Sequence, residues 1–316
     1  MRIERWFTFF CLLVFSLMVI QEGRAQEQVS PFENGRFWRS DSGSLHYQIW
    51  FPPLPRGKVL LIHGLGGSTF SWRFAPSFLT QAGYVVVAID LPGFGYSERV
   101  VGKVHESENR ARLLLDFLHA LDREVIPKSV ANEKWHLVGH SMGGSTAFLM
   151  AMETPERFYS AVLIDAALGA RSFHLLKIFT SFPLTKQCWI TFIRNVFLSR
   201  SNIRRSLSSA YGRKPTAEEV EGYFRPLQRK GTARSLLSLT NQASFLRLSP
   251  FRGKPHPPFL LIWGEKDRVI PSKQAKRFQK FFPETPLYII KGASHCPMET
   301  HPEEVYSLMV QFFSTQ

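Results

Sequence analysis

Acidic residues are scarce in this chain. Its 316 residues hold 25 Asp and Glu against 39 Lys and Arg, a formal net charge of +14. The shortage is local. Between Leu168 and Pro250 stand fourteen Arg or Lys and only three acids, Glu218, Glu219 and Glu221, a surplus of eleven. Such a field suits an anionic membrane surface or anionic substrates, and its plainer reading is a solvated basic face. It lies on no recognisable base-reading motif, so no nucleic-acid partner is expected. Cysteine is rarer still, three in all, which excludes a small scaffold built on disulfides. Cys188 and Cys296 stand far apart and are expected to remain thiols. Internal repeats and low-complexity tracts are missing, which excludes solenoids and disordered arrays.

The one long apolar run is at the start. Arg2 and Arg5 precede Trp6 to Ile20, and Gly23 and Ala25 then take the −3 and −1 places before Gln26. A basic start, a short apolar run and small residues make a secretory signal over residues 1–25, with export to the periplasm or the medium as its consequence. The run falls short of the ~20 residues of a membrane span. An uncleaved anchor is the alternative.

From residue 26 onward the chain carries short apolar runs: KVLLIHG (58–64), YVVVAID (84–90), WHLVGH (135–140), AVLIDA (161–166), PFLLIWG (258–264) and PLYIIKG (286–292). Most are continuous rather than alternating, as in parallel strands covered on both faces. Amphipathic segments at 71–82, 107–121, 142–153, 273–282 and 303–313 read as helices between them. The alternation predicts a doubly wound, mostly parallel α/β sheet. SLHYQIW (44–50) adds an earlier strand near an antiparallel edge. Between Leu168 and Pro250 the strands stop and apolar residues recur at helical spacing. We read 26–167 and 251–316 as the core and 168–250 as a helical cap over the carboxyl edge of the sheet, where open parallel sheets bind ligands.

Gly139-His140-Ser141-Met142-Gly143 follows one of these strands and opens a helical pattern. A serine there stands on a tight strand-to-helix turn, and glycines two residues either side avoid collisions. The new helix turns its positive end toward the developing anion. Serine needs a base. His295 fits, in the loop after the last strand; His301 precedes Pro302 and begins the final helix, and His140 is expected to point away from the site. Asp267, after PFLLIWG, is placed to orient that imidazole. Asp165 is the alternative acid and Glu265 the third. Oxyanion donors are backbone amides, here those of Met142 and Leu65, with Gly66 an alternative to Leu65. His63 serves its own loop.

These pieces resemble the α/β-hydrolase fold family, in its serine-nucleophile branch with a helical cap. HGLGGS (63–68), DLPGFGYS (90–97), GHSMGG (139–144), WGEKDRVIP (263–271) and GASHCPMETHPEEV (292–305) come in that family's order. The resemblance implies an eight-stranded, mostly parallel sheet and a triad of Ser141, Asp267 and His295 without metal or cofactor. It gives Asp90 a structural role. An ester or lipid small molecule is the expected substrate of an esterase or lipase-like enzyme. The same triad also serves carbon–carbon bond hydrolases, amidases and cofactor-free haloperoxidases. A non-catalytic binding protein on the same fold is the reading from another class. Oligomeric state is not encoded in any of these features.

Overall fold

The apolar runs become the centre of one eight-stranded sheet. The structure is a computed structural model describing residues 29–169, 183–242 and 246–316. The N-terminal segment 1–25 and the run FHLLKIF (173–179) lie outside the described residues.

In chain order the strands are β1 (Gly35–Ser40), β2 (Gly43–Trp50), β3 (Gly57–Ile62), β4 (Tyr84–Ile89), β5 (Trp135–His140), β6 (Phe158–Ile164), β7 (Phe259–Gly264) and β8 (Leu287–Ile290). Their order in the sheet is β1-β2-β4-β3-β5-β6-β7-β8. β1–β2 and β2–β4 are antiparallel and every later pair is parallel. Every residue of β3, β4, β5 and β7 is buried, which is why these runs are continuous rather than alternating.

Helices α1 (Ala75–Gln81), α2 (Ser107–Glu124), α3 (Met142–Glu153), α8 (Lys273–Gln279) and α9 (Pro302–Ser314) belong to the core. α1 starts later than the spacing suggests. Ser68 caps a single 3-10 turn at Thr69–Trp72, and Pro76 then enters the first turn of α1. Between β6 and β7 stand α4 (Pro183–Phe192), α5 (Arg200–Tyr211), α6 (Ala217–Leu227) and α7 (Thr232–Gln242). α6 opens on a reciprocal cap: Thr216 accepts from the Glu219 amide, and the Glu219 carboxylate accepts from the Thr216 amide. Ile203, Leu207 and Tyr211, spaced four apart, are the buried stripe of α5. No helix among the described residues is long and apolar enough to cross a membrane.

Parallel register decides where the functional groups emerge. Ile62 pairs with Gly139, His140 with Ile164, Ile164 with Ile262 and Gly264 with Ile290. The loops that follow β3, β5, β6, β7 and β8 therefore leave the sheet at one edge, and the helices between β6 and β7 contribute to the pocket there.

Candidate active site

Ser141 has φ 53° and ψ −117°, a conformation rarely taken by non-glycine residues. The surroundings fix it. Its amide donates to Ile164 O at 3.0 Å, and its carbonyl accepts from Ala167 N at 2.9 Å. The glycines around it are dictated by backbone. A Cβ on Gly139 would lie 2.3 Å from Gly143 O, and one on Gly143 would lie 2.2 Å from Ile62 O. The turn is thus clamped between β6 and β3.

The sheet edge brings Ser141, His295 and Asp267 together from three loops. His295 Nε2 is 3.1 Å from Ser141 Oγ, and Nδ1 is 2.8 Å from Asp267 Oδ2. The other carboxylate oxygen of Asp267 accepts from the amides of Val269 and Ile270 at 2.8 and 3.0 Å. Burial would raise the Asp267 pKa, but the hydrogen bond and charge of His295 outweigh it and hold the carboxyl below its ordinary value. With Asp267 ionised, Nδ1 carries the proton, which leaves Nε2 free to accept from the serine hydroxyl.

Leu65 and Met142 flank the nucleophile. Gly64 passes so close that a Cβ there would sit 2.9 Å from Ser141 Cβ. No hydrogen bond to the amide of Leu65 or Met142 is seen among the described residues, so both remain available to a ligand. Gly66, the alternative, has φ 75° and open space around it. His63 closes its own loop: Nδ1 donates to Gly64 O at 2.7 Å and Nε2 accepts from Leu91 N at 3.0 Å. Asp90 accepts from the amides of Thr69 and Tyr96 and pairs with His46 Nδ1 at 2.8 Å, well inside the core.

The remaining histidines and acids sort differently. Glu265 accepts from the exposed Gly292 amide, and His301 precedes α9 with its ring against Thr300. His140 corrects the sequence reading. Its ring lies 4.8 Å from that of His295, and Nε2 donates to the His295 carbonyl at 2.7 Å. Burial, with the neighbouring His295, pushes its pKa down to about 3, so it acts as a neutral brace for the base loop. Only its position beside Ser141 hinted at this. Asp165 accepts from Gly264 N at 2.9 Å and makes no hydrogen bond to an imidazole nitrogen among the described residues. Asp165, Asp267 and His295 bring one potential ligand atom each within 4.8 Å of one another, the donor set of a small metal site. Both imidazole nitrogens, however, are engaged within the Ser–His–Asp chain.

One support was not legible at all. Buried Glu299, four residues beyond His295, accepts from Tyr211 Oη at 2.7 Å and Tyr223 Oη at 2.6 Å and pairs with Arg73 Nη1. Arg73 also approaches Glu219 at 3.4 Å. These bonds tie α5 and α6 to the core beside the base loop.

Above Ser141 lies a cavity of about 180 Å³. Leu65, Phe197, Ile203, Leu207, Tyr223 and Leu236 make up much of its wall, and no Arg, Lys, Asp or Glu lines it among the described residues. Met142, the Ser145 hydroxyl and the rest of α3 pack beneath; Ser145 donates to Met142 O at 2.8 Å. Cys296 is buried at the pocket wall, and no disulfide joins it to Cys188.

Comparison with known proteins agrees with this architecture. A family model described as "Alpha/beta hydrolase family" matches residues 59–308. The uncharacterized hydrolase YugF of Bacillus subtilis (strain 168) is 29% identical over 293 residues, covering 90% of this chain and 99% of YugF. The 2-hydroxy-6-oxononadienedioate/2-hydroxy-6-oxononatrienedioate hydrolase of Escherichia coli (strain K12) is 24% identical over 302 residues, covering 88% and 95%. The crystal structure of carboxylesterase CesB (YbfK) from Bacillus subtilis superposes with a TM-score of 0.70 at 19% identity, covering 90% of this chain and 93% of that one.

Proposed function

The chain belongs to the alpha/beta hydrolase family, and on that premise we propose that it cleaves carboxylic esters through an acyl-enzyme on Ser141. The observation that carries this is the Ser141–His295–Asp267 chain at the floor of an uncharged, apolar pocket. Ser141 Oγ attacks the ester carbonyl as His295 Nε2 takes its proton. The amides of Leu65 and Met142 hold the oxyanion. His295 returns the proton to the leaving alcohol, then activates the water that releases the acid. Asp267 keeps the imidazole in the tautomer each step requires and stabilises the imidazolium.

The pocket supports this reading over carbon–carbon hydrolysis. The E. coli relative is named for dioate substrates, which carry two carboxylates. Burying such a dianion without a cation carries a large desolvation penalty, and the described wall offers none. An apolar acyl group meets a mostly apolar wall there, with Ser71, Ser206 and Tyr223 among its polar members. The name of the carboxylesterase neighbour supports the same side. A cavity of about 180 Å³ above Ser141 accommodates a short acyl chain.

Two further parts belong to this proposal. Exposed Phe192, Val196 and Phe197 lie beside exposed Arg194, near Arg204 and Arg205 in sequence, and Phe197 also lines the pocket. Exposed apolar groups next to a basic one, on the segment that gives Phe197 to the pocket, support docking on an anionic membrane surface. The basic, apolar and small-residue order of the first 25 residues supports export.

The test is a series of p-nitrophenyl esters, assayed beside a ring-cleavage dioate and with fluorophosphonate labelling. Butyrate and hexanoate should turn over faster than palmitate. The dioate should not turn over, and Ser141→Ala should lose both turnover and label. Absence of labelling on folded protein, or faster turnover of the dioate than of any ester, refutes the reading. Flotation with anionic vesicles that is insensitive to salt would refute the membrane part.

A further inference from the structure

Asp165 holds a buried polar atom that nothing in the foregoing mechanism uses. The residue is fully buried at the end of β6. It has φ 42°, one of two non-glycine residues with positive φ among those described; the other is Ser141. The backbone on both sides grips the nucleophile turn, since Ile164 O and Ala167 N bond the amide and carbonyl of Ser141. One carboxyl oxygen of Asp165 accepts from Gly264 N. The other is buried and has no donor opposite it. An ionised carboxylate left so is costly.

The side chain lies against the triad acid, with an oxygen of Asp165, one of Asp267 and a nitrogen of His295 within 4.8 Å of one another. Two carboxylates this close do not both ionise. Asp267 is the one supplied with donors, from His295, Val269 and Ile270. A carboxylate has about four acceptor sites, so one remains for a fourth donor.

We propose that Asp165 is a positioning residue: its carboxyl remains protonated and donates that proton in a hydrogen bond to Asp267. The orphaned oxygen is then a hydroxyl with a partner, and the Asp267 carboxylate has its full complement of donors. The chain of hydrogen bonds runs from Asp165 through Asp267 and His295 to Ser141. Burial, then the hydrogen bond and charge of Asp267, push the Asp165 carboxyl well above its ordinary value, in agreement with the geometry. The other titratable groups in its surroundings are His295, His140 and the buried Cys296 thiol; the latter two are held neutral by burial. No Lys or Arg is among them. The role holds whichever bond Ser141 attacks, so it stands apart from the ester reading.

The experiment compares Asp165→Asn with Asp165→Ala in the full chain, using the best ester of the series and fluorophosphonate labelling as a second readout. Asparagine keeps an acceptor for Gly264, a donor for Asp267 and the neutral charge, and it tolerates positive φ. Alanine should lower kcat about ten- to hundredfold with KM little changed, the range of one hydrogen bond to a charged group. Asparagine should rescue most of that loss and leave the acidic limb of kcat/KM where it is. An infrared difference spectrum of wild type minus D165N near neutral pH should show a protonated-carboxyl C=O stretch. Should alanine fail to fold, the D165N profile and spectrum still decide. An acidic limb displaced to lower pH in D165N, or no carboxylic-acid band, would show an ionised Asp165 and overturn the proposal.

Discussion

Replacing Asp267 with asparagine tests the proposed acid with little change of shape, and the structure fixes what the amide must do. Asp267 presents one oxygen to the amides of Val269 and Ile270 and the other to His295 Nδ1. An asparagine that keeps its oxygen on the two amides turns its NH2 toward Nδ1. Nδ1 must then accept, the ring proton moves to Nε2, and Nε2 donates to Ser141 Oγ instead of taking its proton. The flipped amide would face donor against donor at Val269 and Ile270. Leaving the buried Ile270 N–H unpaired costs about 1–3 kcal/mol, so the flip is the minor form. The major form holds the wrong tautomer, for which a kcat loss of about 10⁴-fold is expected, equivalent to about 5 kcal/mol of barrier at about 1.4 kcal/mol per decade. Stopped-flow and steady-state ester turnover read this directly, while circular dichroism should show an unchanged fold. Stability follows a second sign. The lowered pKa of Asp267 contributes stability that is full above its unfolded value of 3.8 and is lost as pH falls through the folded value. The variant should therefore melt below wild type at neutral pH, and the gap should close in acid. Turnover within tenfold of wild type in D267N would refute the assignment and move the acid to Asp165.

Gly143→Ala should destabilise by about 3 kcal/mol or more and abolish fluorophosphonate labelling, because its Cβ meets the Ile62 carbonyl at 2.2 Å. Gly66→Ala meets nothing within 4 Å and should cost only the roughly 1–2 kcal/mol of its positive φ; equal denaturant midpoints for the two would contradict the packing argument. Glu299→Gln should destabilise by about 3 kcal/mol by leaving Arg73 short of its buried counter-charge, and KM should rise more than kcat falls; an unchanged KM would disconnect this carboxylate from the cap. Buried His136 and His140, depressed to about 4 and about 3, bind protons unfolded before they do folded. Stability should fall as pH drops below 6.5, by about 2 kcal/mol per histidine at pH 5, and urea midpoints that stay flat from pH 8 to 5 would refute it.

The central strands were legible because burial on both faces leaves an uninterrupted apolar run, and β5 falls on Trp135–His140 as the sequence indicates. β1, GRFWRS, was not. It is an edge strand with exposed Arg36 and Arg39, and its short polar alternation resembles a loop. Ser141, His295 and Asp267 could be placed because each ends or follows a strand whose direction the pattern sets. The parts played by His140 and Glu299 could not, because they lie in contacts across 155 and 88 residues of chain, with His295 and Tyr211, and Asp165 was placed at its strand end only as an alternative acid. No local periodicity encodes such a contact. The cap helices were legible as helical spacing, but their attachment through Tyr211, Tyr223 and Glu219 was not.

That attachment makes substrate admission and chemistry answer to a single buried charge. Any outward swing of α6 that parts Tyr223 from Glu299 removes a donor from a carboxylate shut away from water. α5 and α6 are therefore held by electrostatics as well as by apolar contact, and lowering the dielectric of the site strengthens that hold. Glu299 shares the short segment that carries His295, so a ligand too large for the pocket would load the cap attachment and the base together. On this architecture, mutations that widen the pocket should be read for their effect on the base as well as on fit.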